Sequence, residues 1–358
     1  MAEITVITSD RNWLESAALR QLESLAKYPG VIRVAGLPDL HAGRTPVGLA
    51  VLSAGRIYPY LIGNDIGCGM ALFKTGLPLR KFKLEKWENQ LAQDRNYGDR
   101  PVANPFPEAA PFPNLGTLGG GNHFLEFQKV EALAEPAAAA RLGLARDEAF
   151  LLVHTGSRGF GRRIMAEFNA ETGYDLADPQ AGRYLELHGQ ALLWARRNRA
   201  LAAEKILYYL GLGRRPEVLL DGPHNYLARH GEAFLHRKGA VAATEGPVVI
   251  PGSRGSLTYV VQPTTDPEKM ESAGWSLAHG AGRKWERGLC RGRLEKRYDR
   301  ESLRRTALKS RVVCHDLDLL FQEAPEAYKN IEEVVAALVG HGLAEVVATL
   351  RPLLTFKG

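Results

Sequence analysis

Asp65 and Cys68 stand three apart in Asn64-Asp65-Ile66-Gly67-Cys68-Gly69, a glycine-rich turn that follows the apolar Leu61-Ile62. Glycine lets the backbone fold a carboxylate and a thiol toward one point, and that pair can hold a metal ion. An Asx turn beside a buried cysteine fits the same letters. Three histidines keep similar company. His123 ends Gly119-Gly120-Gly121-Asn122-His123, where three glycines let backbone approach a ligand closely. His154 closes the apolar run Phe150 to Val153 and precedes Thr155-Gly156-Ser157-Arg158-Gly159, a glycine turn with a guanidinium suited to phosphate. His224 follows Val218-Leu219-Leu220-Asp221-Gly222-Pro223, read as a buried strand and its exit, and is followed by Asn225. One such histidine is readily a satisfied structural residue, but with Asp65 and Cys68 the three make five candidate ligands. Two cations sharing the thiolate could clamp the attacking and leaving oxygens of a phosphoryl transfer; one structural zinc would use the same residues.

His279-Gly280-Ala281-Gly282-Arg283 has a different character. Small residues beside the imidazole leave room for a bulky group on its nitrogen, as a covalent nucleophile requires, and Arg283 is placed to neutralise that group's phosphate. A turn opening a basic helix has the same letters. From Arg283 to Arg311 there are 12 Lys or Arg against 4 Asp or Glu, which leaves 34 against 36 elsewhere. The net charge of +6 is therefore concentrated in one segment, either a phosphate-contacting surface or a solvated, salt-bridged helical face.

These residues need elements to hold them. Ile4 to Thr8 reads as a strand, and Asn12 to Lys27 as an amphipathic helix with Leu14, Ala17, Ala18, Leu22 and Leu25 on one side. Short apolar strands are expected at Val47 to Val51, Ala149 to Val153, Val218 to Leu220 and Pro247 to Ile250, most of them leading into glycine- or histidine-bearing loops. Tyr184 to Leu210 is a long periodic helix ending at Gly211-Leu212-Gly213, with Arg196, Arg197 and Arg199 expected to face outward. The alanine-rich Ala132 to Ala140 stretch reads as a surface helix, and Pro101 to Pro113, with five prolines, as a loop or lid. The reading is α+β, one large domain over 1–358, since no polar or Pro/Gly/Ser tract divides the chain.

Hydrophobic residues at 45% and charged residues at 24% describe a folded globular chain and exclude a disordered one. No run of 18 apolar residues occurs, so a cytoplasmic protein with no membrane partner is expected. Cys68, Cys290 and Cys314 are odd in number and far apart, which suits a reducing compartment and argues against a disulfide framework. No Gly-x4-Gly-Lys-Ser/Thr loop and no Lys-x-Asp-Gly motif occurs, which removes two familiar classes of nucleotide-using enzyme.

Taken in order, Leu37-Pro38-Asp39-Leu40-His41, Asp65-Ile66-Gly67-Cys68-Gly69, Gly119 to His123, His154 to Gly159, Pro251-Gly252-Ser253, His279 to Arg283, Glu323 to Lys329 and the terminal Lys357-Gly358 resemble the RtcB family of RNA ligases. The resemblance implies a mixed α+β domain with sheets around a central metal and nucleotide cleft and with peripheral helices. It implies that Asp65, Cys68, His123, His154 and His224 hold two Mn²⁺ ions, with Cys68 bridging them, and that His279 is the residue that takes up GMP from GTP. Asn122, Glu126, Ser253, Thr258, Tyr328 and Lys357, with His279, Gly280, Ala281 and Gly282, fall where the family contacts the guanine nucleotide. The implied activity joins RNA 3'-phosphate or 2',3'-cyclic phosphate ends to 5'-hydroxyl ends, in tRNA splicing or RNA repair. Arg254 departs from the family pattern, which usually has methionine there, and Leu257 stands where a small residue is common. Two rival readings use the same residues. One is a metal-dependent phosphoesterase or nuclease that needs no nucleotide; the other is a non-catalytic RNA-binding protein on the same scaffold.

Overall fold

The computed structural model describes residues 2–102, 115–213 and 215–358. Its largest sheet places side by side Val248–Pro251, Thr258–Pro263, Ala344–Lys357, Phe124–Leu133, Glu148–Thr155, Gly69–Pro78 and Glu217–Pro223, with Arg311–Cys314 parallel to the end of Ala344–Lys357. The Glu148–Thr155 strand explains the sheet's layering. Its odd-numbered residues Ala149, Leu151 and Val153 pack with Trp87, Phe127 and Ile206, whereas Phe150 and Leu152 pack with Met70, Val249, Val260 and Leu350. Alternating residues of a strand point to opposite faces, so this strand is apolar throughout because both its faces are covered. The cover on the second face includes strands from the far end of the same sheet, so the sheet curls round upon itself. Its inner surface carries the even-numbered residues of Glu148–Thr155, ending in His154.

A second sheet runs Glu3–Val6, Val31–His41, Val47–Ala54, Ala233–Lys238, Asn225–His230, with only the first pair parallel. Ala18, Leu22 and Leu25 of the helix Ser16–Leu25 cover it against Val34, Leu49 and Val51. That helix is shorter than the periodicity suggests, because Asn12 leaves the pattern: it is buried and its Nδ2 donates to Pro38 O at 2.6 Å. The alanine-rich stretch divides between the end of the Phe124–Leu133 strand and a short helix, Pro136–Arg141, started by its proline. Positions 103–114 of the proline-rich segment lie outside the described residues.

The long helix is Pro179–Tyr209, five residues longer at its start than expected, with Asp178 accepting from Gln180 N as its cap. Arg199 is a correction to the sequence reading, since it is buried. Its Nε donates to Asp221 at 2.7 Å, and its Nη1 donates to Gly67 O at 2.7 Å and Thr155 O at 3.0 Å. A helix packed on more than one side has no free face for it, and the guanidinium instead satisfies turn carbonyls that would otherwise be orphaned. The strand Glu217–Pro223 is a second correction. It is half-exposed, with Val218 at the surface, because it is the last strand of its sheet. Among the described residues no helix is long and apolar enough to cross a membrane.

Candidate active site and metal centre

Strand register brings the candidate ligands together. His154 lies opposite both Met70 and Phe124, and Met70 lies opposite Gly222. Two residues along on the same face come Cys68, before Gly69, and His224, after Pro223. The sheet therefore sends Cys68, His154 and His224 to one face at one end of three adjacent strands. His123 precedes Phe124 and Asp65 sits in the turn before Cys68, so both enter from loops. The donor atoms of Cys68, His154 and His224 form one group, those of Asp65, Cys68 and His123 a second, each within 4.8 Å. Cys68 belongs to both. Its Sγ is 3.3 Å from His123 Nε2 and 3.1 Å from His154 Nε2; His154 and His224 face each other Nε2 to Nε2 at 3.4 Å, and His123 Nε2 is 2.9 Å from Asp65 Oδ2.

The far nitrogens of two rings are tied down. His123 Nδ1 is 2.9 Å from Leu118 O and His154 Nδ1 is 3.0 Å from Asn122 O. A carbonyl only accepts, so each Nδ1 carries the proton and each Nε2 turns a lone pair inward, the arrangement that metal-bound histidines need. Burial keeps His154 and His224 neutral well below the usual histidine range, aided by neighbouring histidines. It also pushes the Cys68 thiol far up, beside Asp65. Burial opposes ionisation of Asp65, but His123 and Arg158 overcome it and hold this carboxylate well below its ordinary value. A cation between these groups would reverse the position of the thiol, since a coordinating thiolate forms readily beside a metal. Soft sulfur, imidazole nitrogen and a carboxylate, shared between two adjacent triads, fit a pair of metal ions. Lys238, buried near Cys68 with its Nζ on Ile62 O at 3.0 Å, and Arg158, whose N–H donates to Asp65 at 3.1 Å, complete the rim. Gly119, at φ +72°, is there for space: a Cβ would fall on the Arg158 guanidinium.

The ligands form one wall of a cavity of about 360 Å³. His279 stands beside them, its ring centre 4.7 Å from that of His224. It follows the short strand Ser276–Ala278, and Asp39 holds it. Asp39 Oδ2 lies 2.5 Å from His279 Nδ1 and accepts the backbone N–H of His279 at 3.1 Å. Asp39 is fully buried in the Val31–His41 strand, and Lys329 secures that strand by donating to Pro38 O and Leu40 O at 2.9 and 2.7 Å. Gly282 has φ +71° and touches Asp39's backbone where a Cβ would collide. With Nδ1–H bound to Asp39, the Nε2 lone pair is the nitrogen left for chemistry.

The same cavity is lined by Asn122, Glu126, Ser253, Gly280, Ala281, Gly282, Tyr328 and Lys357. Thr258 lies just behind this wall, its hydroxyl accepting from Gln128 Nε2 at 2.8 Å, and Gln128 donates in turn to Glu126 at 2.7 Å. Burial pushes the Glu126 carboxyl upward, against Thr355 and Gln128. Glu323, which the motif comparison left without a role, organises the opposite part of the wall. It receives Arg287 at 2.6 Å, Tyr328 OH at 2.8 Å, Lys357 at 3.3 Å and Arg283 at 3.4 Å. Burial opposes its charge, but these cations draw it down to about 2. Arg283 thus has its charge answered by Glu323, bonds Gln322 O and Trp285 O, and lies over the Tyr328 ring. Asp39, Glu323 and Arg199 are the residues the sequence concealed, because their partners lie 240, 34 and 22 positions away, respectively.

Comparison with known proteins agrees with this arrangement. The family model described as tRNA-splicing ligase RtcB matches residues 21–104 and 103–358. A protein of Escherichia coli named RNA-splicing ligase RtcB2 is 42% identical, over 99% of this chain and 95% of its own length. The tRNA-splicing ligase RtcB of Nanoarchaeum equitans is 26% identical over 96% of this chain and 92% of its own, and the RNA-splicing ligase RtcB of Escherichia coli K12 29% over 96% and 95%. With two ligand triads sharing Cys68, a histidine oriented by a buried aspartate, and a match running nearly the length of the chain, the protein belongs to the RtcB family.

Proposed function

We propose that this chain is a GTP-dependent RNA ligase that joins a 3'-phosphate or 2',3'-cyclic phosphate end to a 5'-hydroxyl end. The observation that carries the reading is His279, oriented by Asp39 and set beside His224 of the metal triads in one cavity. Asp65, Cys68, His123, His154 and His224 would hold two Mn²⁺, with Cys68 shared. Bound there, the ions withdraw charge from phosphate oxygens.

His279 Nε2 attacks the α-phosphorus of GTP: an N–P bond forms and the bond to pyrophosphate breaks. Asp39 stabilises the imidazolium character that develops, because its carboxylate already holds Nδ1–H. An oxygen of the RNA 3'-phosphate then takes GMP from His279, restoring the imidazole. The 5'-hydroxyl attacks that activated phosphorus, its proton passes to solvent or a nearby base, and GMP leaves. A cyclic phosphate is opened by water first. Asn122, Glu126, Ser253, Thr258, Tyr328 and Lys357 would seat the nucleotide, and the segment 283–311 would meet RNA phosphates. A reducing, cytoplasmic setting suits the free Cys68.

Incubation with Mn²⁺ and GTP labelled at the α-phosphate is expected to label the protein through an acid-labile, base-stable bond, and His279→Ala to abolish the label. Labelling that survives in His279→Ala removes the nucleophile assignment. An unlabelled wild-type protein that hydrolyses phosphoesters favours the phosphoesterase reading.

A further inference from the structure

Arg254 is only 8% exposed and lines the cavity, yet its Nη1 has no hydrogen-bond partner and no carboxylate lies within ion-pair distance of the side chain among the described residues. A guanidinium kept from water and left unanswered is costly, so a protein that keeps one has a use for it. Its backbone gives it a fixed base: Gly252 N donates to Leu257 O at 3.0 Å and Ser256 N to Ser253 O at 2.9 Å, closing a tight loop around it. The nearby carboxylate, Glu323, already receives Arg283, Arg287, Lys357 and Tyr328.

The surroundings of Arg254 indicate which part of a nucleotide it would meet. Its charged and ionisable neighbours are Glu323, Tyr328 and Glu326, and Lys357 senses it in turn. The metal ligands and His279 form a separate electrostatic group with Lys238 and Arg199. Phosphates belong with that second group, so the base falls to the first. Guanine offers the acceptors O6 and N7 along one edge and the donors N1–H and N2–H₂ beside them; adenine puts an amino donor where guanine has O6. An arginine fork matches the guanine acceptors and opposes the adenine amino group, while buried Glu126 supplies an acceptor for the donors.

We propose that Arg254 reads the O6/N7 edge of the guanine base and is a specificity-determining residue of this chain. The proposal rests on the guanine-nucleotide reading given above. It accounts for an arginine where the family pattern has methionine, which has no donor for a base edge.

The test is binding of GMP and AMP, neither of which can guanylylate the protein, to the full-length chain in Mn²⁺, measured by calorimetry. Wild type is expected to prefer GMP. Arg254→Met is expected to lose about tenfold to a hundredfold in GMP affinity while AMP affinity changes by less than about threefold. The melting temperature of ligand-free Arg254→Met should equal or exceed that of wild type, since an unpaired buried charge has been removed. Equal loss for both nucleotides would make Arg254 a phosphate contact and overturn the proposal, as would an unchanged GMP affinity. A clear fall in ligand-free melting temperature would mark a structural arginine, with the same consequence. A wild-type chain that binds neither nucleotide defeats the guanine-nucleotide reading itself, and Arg254's role with it, whereas the preceding outcomes leave that reading standing.

Discussion

At the residue scale the site is a matter of which nitrogen of each histidine is free. His123 and His154 give their Nδ1 protons to Leu118 O and Asn122 O, and His279 gives its own to Asp39. In all three the remaining nitrogen is Nε2, and in the first two it converges on Cys68. Asp39 therefore acts through His279, fixing both tautomer and orientation. Asp39→Asn preserves the shape but loses the negative charge, and its amide can present a donor to Nδ1. Guanylylation should fall by about 10²- to 10⁴-fold with the fold intact. Single-turnover labelling checks this; a rate within about twofold of wild type would mean that His279 is oriented by something else.

At the element scale, two other histidines show how the sheets are locked to their neighbours. His236 Nε2 accepts from Tyr58 N at 2.9 Å and His188 Nε2 accepts from Leu227 N at 3.0 Å, so both rings serve as acceptors and must be neutral. Burial holds His236 down to about 4 and His188 to about 3. An unfolded histidine titrates near about 6.5, so below that pH the unfolded chain binds protons that the folded chain refuses. The stability these residues contribute is full above about pH 6.5 and is lost as the pH falls toward 4 and then 3. Melting temperature should therefore decline between pH 7 and pH 5. The double variant His188→Gln, His236→Gln, which keeps an acceptor and a donor at each place, should decline less steeply over that range. An identical slope in the variant would assign the acid sensitivity elsewhere.

At the scale of the whole molecule, one curled sheet and one second sheet bring residues from Asp39 to Lys357 around a single cavity. Much of this was legible in the sequence. Histidines after apolar runs and before glycine turns marked the strand ends, because burial on both faces makes such strands continuous hydrophobic runs. The edge strand Glu217–Pro223 misled for the same reason, since apolar letters do not tell an edge from a centre. Asp39, Glu323 and Arg199 were hidden because their roles consist entirely of long-range partners. The basic segment is now resolved more finely: Arg291 pairs with Asp318 at 2.6 Å, while Arg293 and Arg297 lie over Trp285 and Tyr298. Part of its charge is thus answered within the protein, and the remainder is the surface proposed for RNA phosphates.

The central claim, that this site seals RNA and does not merely trim it, is tested most directly by following one phosphorus atom. An RNA strand carrying a labelled 3'-phosphate is mixed with a 5'-hydroxyl strand, GTP, Mn²⁺ and the purified chain. The account predicts a joined product in which the labelled phosphorus lies in the new junction, resistant to phosphatase, formed only with GTP and lost in His279→Ala. Label released as inorganic phosphate with no joined strand, equally in the presence and absence of GTP, would contradict it.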